Sequence, residues 1–386
     1  MTRTRRNHID LPLLTVVLLL MVLSLGIVYS ASATWALEKF GEAESLLNAH
    51  LIKVLLGIAA LFAGMFMPYK KYQRLTKFVL MGAIVLLAVT LLAGGETKGV
   101  SRWLRIGGFS MQPSEFAKFA LLFHLSSLAA SKGEGITDLK RGFMPMMIWI
   151  GLVVGLVMLQ PNFSGAAMIA ALSLMLLFVV RAKFVHIAGA LAMGVPALGL
   201  YAISADYRLQ RLLSFFGRAE ATNDNYQLTQ GIIGFGMGGI FGVGPGESLQ
   251  RDFFLPESYG DFVFSVVGEE YGLIGTIFFL FLFLMIMTRG FRIARATTNP
   301  FGRNLALAIT CTITFFALVN AGVTLGMLPT TGQPMPFVSY GGSALLFSAY
   351  AVGVLLNISA YTDMHPRAHP TNEAEQSPDV TIVVPS

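Results

Sequence analysis

The sequence predicts an all-α polytopic membrane protein with about ten transmembrane helices. Three observations predict it. Hydrophobic residues make up 55% of the chain and charged residues 12%, where a soluble domain carries about 25% charged. Apolar runs recur along nearly the whole length, each near the roughly 20 residues a helix needs to cross hydrocarbon. The Lys and Arg residues gather in short clusters between those runs. Despite a net charge of +6, that is a pattern of membrane topology and not of a nucleic-acid-binding face.

The apolar segments span 11–33, 48–67, 77–94, 113–130, 142–159, 164–180, 184–204, 263–288, 304–328 and 338–360. The first follows Arg3, Arg5 and Arg6, and Ala31-Ser32-Ala33 resembles a cleavage site. Its run from Leu11 to Tyr29 is longer than the roughly 7–15-residue core of a signal peptide, so it is read as an uncleaved span. An even number of spans leaves both termini on one side. If that side is the cytoplasm, the short inner segments hold Lys70, Lys71, Arg74 and Lys77, then Lys132, Lys140 and Arg141, then Arg289, Arg292, Arg295 and Arg303. Positive charge collects on the cytoplasmic side, so both termini are expected there. Residues 1–362 form one membrane domain, with a large extracytoplasmic loop over about 205–262 between helices 7 and 8. Residues 363–386 are polar and Pro-containing, and a disordered cytoplasmic tail is expected. A lone cysteine, Cys311, excludes an intrachain disulfide. The scattered histidines show no ligand spacing, and no structural metal site is expected.

This topology puts every unusual polar segment outside: 95–112, Gln160-Pro161-Asn162, 205–262 and 329–337. Chemistry is therefore expected on the outer face, where no nucleotide is available. The strongest candidate is Asp261, where the long loop enters an apolar span in Leu255-Pro256-Glu257-Ser258-Tyr259-Gly260-Asp261-Phe262. A carboxylate at membrane depth is costly and by default functional. Partial burial raises its pKa towards that of a general base. The competing reading is a cap on the eighth helix. Glu257 could share the site, whereas Glu269 and Glu270, deeper in the same helix, read as structural groups.

Other candidates have equally plain alternatives. In Gln112-Pro113-Ser114-Glu115-Phe116-Ala117-Lys118, Glu115 and Lys118 are three apart and can pair on one helix face. They either fix helix packing or line a polar cavity. Arg102 and Trp103, with Lys98 and Arg105, form a basic-aromatic patch suited to interfacial anchoring or to phosphate. The run from Gly231 to Gly246 suggests a phosphate loop, but it lacks Gly-Lys-Ser/Thr. Its glycines read better as permission for close helix packing. The connection from Leu328 to Ser343 is too rich in Pro and Gly for a continuous helix. Broken backbone at membrane depth survives where protein buries it or water lines it.

Four blocks now carry a resemblance. They are Gly99-Val-Ser-Arg-Trp-Leu with Gln112-Pro-Ser-Glu-Phe-Ala-Lys118; Gln160-Pro161; Tyr226-Gln-Leu-Thr-Gln230 through Leu255-Pro-Glu257 and Asp261-Phe262; and Leu328-Pro329 with Pro336-Phe-Val-Ser-Tyr-Gly-Gly-Ser343. In this order, from about residue 10 to 360, the chain resembles the SEDS family (shape, elongation, division and sporulation). Its loop blocks resemble the division members more than the elongation members. The resemblance implies an inverting peptidoglycan glycosyltransferase that polymerises lipid II on the outer face of the bacterial cytoplasmic membrane, with Asp261 as the catalytic carboxylate. Substrate contacts are expected from Arg102, Trp103, Gln112, Glu115, Lys118, Gln160, Arg251, Glu257, Ser339 and Ser343. It further implies a class B penicillin-binding protein as partner, with other membrane proteins of the division complex. A divalent cation, Mg or Mn, could assist with Asp261 among its ligands, although no signature demands one. Two departures stand out: Asn162 where the family usually has Asp, and Arg251 where many members have Lys. Two rival readings are a lipid II flippase, which Lys53, Glu115 and Lys118 would suit, and a non-catalytic scaffold.

Overall fold

A computed structural model describes residues 7–93, 102–106, 109–203, 209, 223–253, 255 and 258–364. Each predicted apolar segment is a helix: α1 (Leu11–Phe40), α2 (Ser45–Phe66), α3 (Tyr69–Ala93), α4 (Pro113–Lys132), α5 (Met144–Leu159), α6 (Phe163–Val179) and α7 (Phe184–Ile203). Two helices of the large loop follow, α8 (Asn223–Gly238) and α9 (Leu249–Phe253). The chain then forms α10 (Val263–Ala296), α11 (Pro300–Thr324) and α12 (Gly342–Ser359). Among the described residues, 8 helices are long and apolar enough to cross a membrane. The other two of the expected ten are α4, interrupted by Glu115 and Lys118, and α6, which has 17 residues. The fold is an all-α polytopic membrane bundle. Residues 95–101 and most of the segment 204–222 lie outside the described residues, as does the chain beyond Met364.

Local signals set the helix starts. The Asp10 carboxylate accepts from the Leu13 N–H at 2.9 Å, with Pro12 in the first turn of α1. Asn299 and Pro300 repeat that arrangement in α11. The helices outrun the apolar segments where hydrocarbon length and helix length differ: α1 reaches Phe40 and α10 reaches Ala296. The segment around 102–112 adds a two-stranded antiparallel hairpin, β1 (Leu104–Ile106) with β2 (Phe109–Met111), pairing Arg105 with Ser110. Helix-period reading could not find it, because its strands are three residues long.

Packing is tightest between α2 and α12. A methyl on Gly64 or Gly353 would collide with the facing backbone, so the two helices meet main chain to main chain. At the inner end the termini of the domain are clasped. Arg289 donates two bonds to Asp10 through Nε, at 3.1 and 3.0 Å, and a third of 2.7 Å from its terminal nitrogen. The Asp10 N–H donates to Ser359 Oγ at 3.0 Å, and Asn7 N–H to Ala360 O at 2.7 Å.

The outer end of α10 is built differently. Gly272 has φ 62 and ψ −158, so the helix breaks there. The interrupted backbone bonds to the loop instead. Val243 and Gly244 N–H groups donate to the Glu269 and Glu270 carbonyls at 2.9 and 3.1 Å, while Leu273 and Ile274 donate to Gly239 and Ile240 at 2.9 and 3.2 Å. A Cβ on Gly238 would strike the Gly268 carbonyl. The glycine run is thus a packing surface that lets the loop backbone enter a broken helix.

Candidate functional site at the mouth of the bundle

Asp261 lies in a turn over Ser258–Phe262, just ahead of α10. Three elements fix that turn. Ser258 Oγ donates to the Ala31 carbonyl of α1 at 2.9 Å. The Tyr340 N–H donates to the Tyr259 carbonyl at 3.0 Å. The Asn320 side chain, at the outer end of α11, donates from Nδ2 to the Asp261 carbonyl at 2.8 Å and to the Gln333 carbonyl at 2.9 Å. Asn320 is 1% exposed, so it ties the Asp261 turn to the α11–α12 connection from inside the protein. The connection also runs along the carboxylate itself, since a Cβ on Gly332 would stand 3.5 Å from Asp261 Oδ2. The helix-cap reading does not hold: Phe262 occupies the cap position of α10 and no side chain caps it. Asp261 is half-buried, with Phe262 and Val263 fully buried behind it. A carboxylate at the rim with its backbone pinned can accept a proton from a docked hydroxyl.

Glu115 and Lys118 form the expected pair. Lys118 Nζ donates to Glu115 Oε2 at 2.8 Å, both side chains are buried, and the ammonium stands 3.8 Å from the Phe316 ring centroid. The pair backs onto the α11–α12 connection near Pro334 and Pro336. Gln112 joins the connection too, its N–H donating to Ser343 Oγ at 3.0 Å. Ser339 Oγ accepts from the Met335 N–H at 2.8 Å. Asp261, Gln112, Ser339, Ser343 and the Glu115–Lys118 pair therefore gather around one connector.

The remaining candidates stand elsewhere. Gln160 is buried against α3, donating to the Leu87 carbonyl at 2.9 Å. Asn162 caps α6, its Oδ1 accepting from Gly165 N–H at 3.1 Å, so the position where the family usually has Asp serves here as a helix start. Arg251 turns towards α1, donating to the Ser30 carbonyl at 2.8 Å and pairing with Glu270 at 3.5 Å. Ser30 Oγ also bonds Glu270. Glu269 accepts from the Ser248 hydroxyl and from the Leu249 N–H at 3.0 Å, so it fastens α9. Arg102 and Trp103 precede β1, Trp103 being exposed. Glu257 lies outside the described residues. Asn320, Trp35, Tyr259 and Tyr340 escaped the sequence reading. For Asn320 the available signal was a lone amide inside an apolar run.

Below the connector an apolar cavity of about 460 Å³ opens between α2, α3, α4 and α12, walled by Met67, Tyr72, Leu75, Phe116, Phe123 and Phe347. Polar rim, apolar cavity and spanning helices together define a membrane protein whose ligand carries both a polar and an apolar part.

The comparisons with known proteins agree. Residues 11–364 match the family of FtsW, RodA and SpoVE, described as a cell cycle protein, and the chain belongs to that family. It is 38% identical over 353 residues to the probable peptidoglycan glycosyltransferase FtsW of Geobacter metallireducens, covering 91% of this chain and 94% of that one. It is 34% identical over 362 residues to stage V sporulation protein E of Bacillus subtilis, covering 93% and 99%. A solved chain from a peptidoglycan synthase complex that coordinates polymerization and crosslinking superposes with a TM-score of 0.74 at 27% identity, covering 91% and 97%. Several FtsW-named relatives stand at this level, in keeping with the division-type character of the loop blocks.

Proposed function

We propose that this protein polymerises lipid II into β-1,4 glycan strands on the outer face of the cytoplasmic membrane, for the septal wall of a dividing bacterium. The observation that carries the reading is the pinned Asp261 turn, held by Asn320 against the connector. Inversion at an α-linked pyrophosphate needs one displacement and one base. Asp261 takes the proton from the acceptor 4-hydroxyl as that oxygen attacks the donor sugar, and the pyrophosphate leaves. Lys118, behind the connector, and Arg102, at the hairpin, are suited to offset the charge growing on the leaving group. The apolar cavity is suited to the polyprenyl chain. Among the described residues no three His, Cys, Asp or Glu side chains converge to hold a metal ion, and no step is derived through one. The solved chain in a synthase complex supports a class B penicillin-binding protein as partner.

The test is polymerisation of labelled lipid II by the full-length protein with that partner, its transpeptidase blocked and moenomycin present. Asp261→Asn should cut the rate by about 10²–10⁴-fold with the fold intact. Equal glycan from both proteins would remove Asp261 as the base. No glycan from either, with the complex confirmed, would favour the flippase or the scaffold.

A further inference from the structure

Lys53 has no task in the mechanism above. It stands eight residues into α2, about 12 Å below the outer end of that helix. A bare charge at such depth is costly. The other cations inside the bundle, Lys118 and Arg289, each have a carboxylate. Lys53 has none among the described residues. Its ammonium stands 3.3 Å from the centroid of the Tyr340 ring. That ring packs against Tyr259 with centroids 5.5 Å apart, and Tyr259 is two residues from Asp261. The Lys53 stem runs past Gly342, where a Cβ would stand 3.4 Å from Cδ. Gly342 opens α12, an 18-residue helix that no side chain caps. Ammonium and free helix N–H groups thus lie side by side, and both favour an anion.

An independent observation points the same way. His50, one turn before Lys53 on the same face, is fully buried with its ring 5.6 Å from that of Tyr340. Its Nε2 meets Ser24 Oγ at 3.0 Å, but its Nδ1 has no partner among the described residues. A buried polar atom left open beside an unpaired cation marks a site completed by something else.

We propose that Lys53, the first turn of α12 and His50 form a subsite for a phosphate of a lipid-linked pyrophosphate, beside Asp261. At this depth the anion must be carried by a lipid. The identity of that lipid rests on the polymerase reading. Lys53 then acts on binding more than on turnover.

The experiment measures binding of undecaprenyl pyrophosphate, undecaprenol and phosphatidylglycerol to the full-length protein in zwitterionic nanodiscs, with the Tm of the free protein recorded alongside. Lys53→Met should raise the Kd for the pyrophosphate at least about tenfold, and Lys53→Arg by no more than about threefold. Undecaprenol binding should not change. The free protein's Tm should hold or rise, because an unpaired buried charge has been removed. An unchanged Kd would overturn the proposal. So would a parallel loss of undecaprenol binding, or a Tm that falls together with affinity. Phosphatidylglycerol bound as tightly, with the same Lys53 dependence, would make this a phospholipid seat and overturn the pyrophosphate assignment. Lys53→Gln serves if the Met variant does not fold. Binding needs no turnover, so a wild type that binds but makes no glycan would sink the polymerase and leave the subsite standing.

Discussion

The two ends of α10 solve opposite problems. At the inner end, Arg289 meets Asp10 through three hydrogen bonds, and Asp10 also caps α1. A buried carboxylate there has every demand met by neighbours. At the outer end the same helix gives up its own ladder at Gly272 and takes in the backbone of the glycine-rich loop. Regular helix and ion pair hold the inner face, and exchanged backbone bonds hold the outer one. Irregular backbone is tolerated where it shapes a cavity, so the irregularity falls on the face that carries Asp261.

Removing one partner of the inner pair gives the largest effect. Arg289→Leu leaves the Asp10 carboxylate buried and unpaired, at about 3–5 kcal/mol, and the Tm in detergent should fall steeply while turnover per folded molecule holds. Adding Asp10→Asn should recover much of the loss, since the pair is coupled. If the single variant melted like wild type, the clasp would not be what secures the inner end. The outer end should respond in the opposite proportion. Asn320→Ala frees two buried carbonyls at about 1–3 kcal/mol, a smaller Tm change, yet kcat for glycan synthesis should drop further than the loss of folded protein accounts for. A kcat that merely tracked the folded fraction would reduce Asn320 to a packing residue. The smallest effect is expected at Asp138, in the exposed connection between α4 and α5. The Arg141 N–H, at 2.7 Å, holds its carboxyl below the ordinary carboxylate range. A folded-state pKa held low stabilises above the unfolded value, and that stability disappears as pH falls through the folded value. The Tm gap between wild type and Asp138→Ala should therefore be widest near neutrality and close on acidification. A gap independent of pH would mean that the carboxylate is not its source.

The helices were legible because the bilayer imposes one length and one solvent. Apolar runs name the spans, and Asp10 with Pro12 or Asn299 with Pro300 name their starts. The glycine run was legible for the same reason, since a phosphate loop would need chemistry that the run lacks. Pairings between distant segments were not legible. Arg251 carries the right charge for a phosphate, but nothing in the local sequence announces Ser30 and Glu270 as its partners, more than 200 residues upstream in the case of Ser30. Ser343 and Gln112 appeared as two separate polar residues, and folding makes them one hydrogen bond. Asp261 stood out because a carboxylate is conspicuous at a membrane mouth. Asn320, which pins it, is an uncharged amide among apolar neighbours and gives a far weaker signal.

The bare crossing of Gly64 and Gly353 reaches beyond its own neighbourhood. With no side chain between them, α2 and α12 behave as one rod rather than two. Lys53 is borne on one half of that rod, and the connector hangs from the other at Tyr340. Their separation is thereby gauged by a contact two to three turns deeper in the bilayer, remote from any ligand. A substitution at that depth would miscalibrate the mouth without touching it.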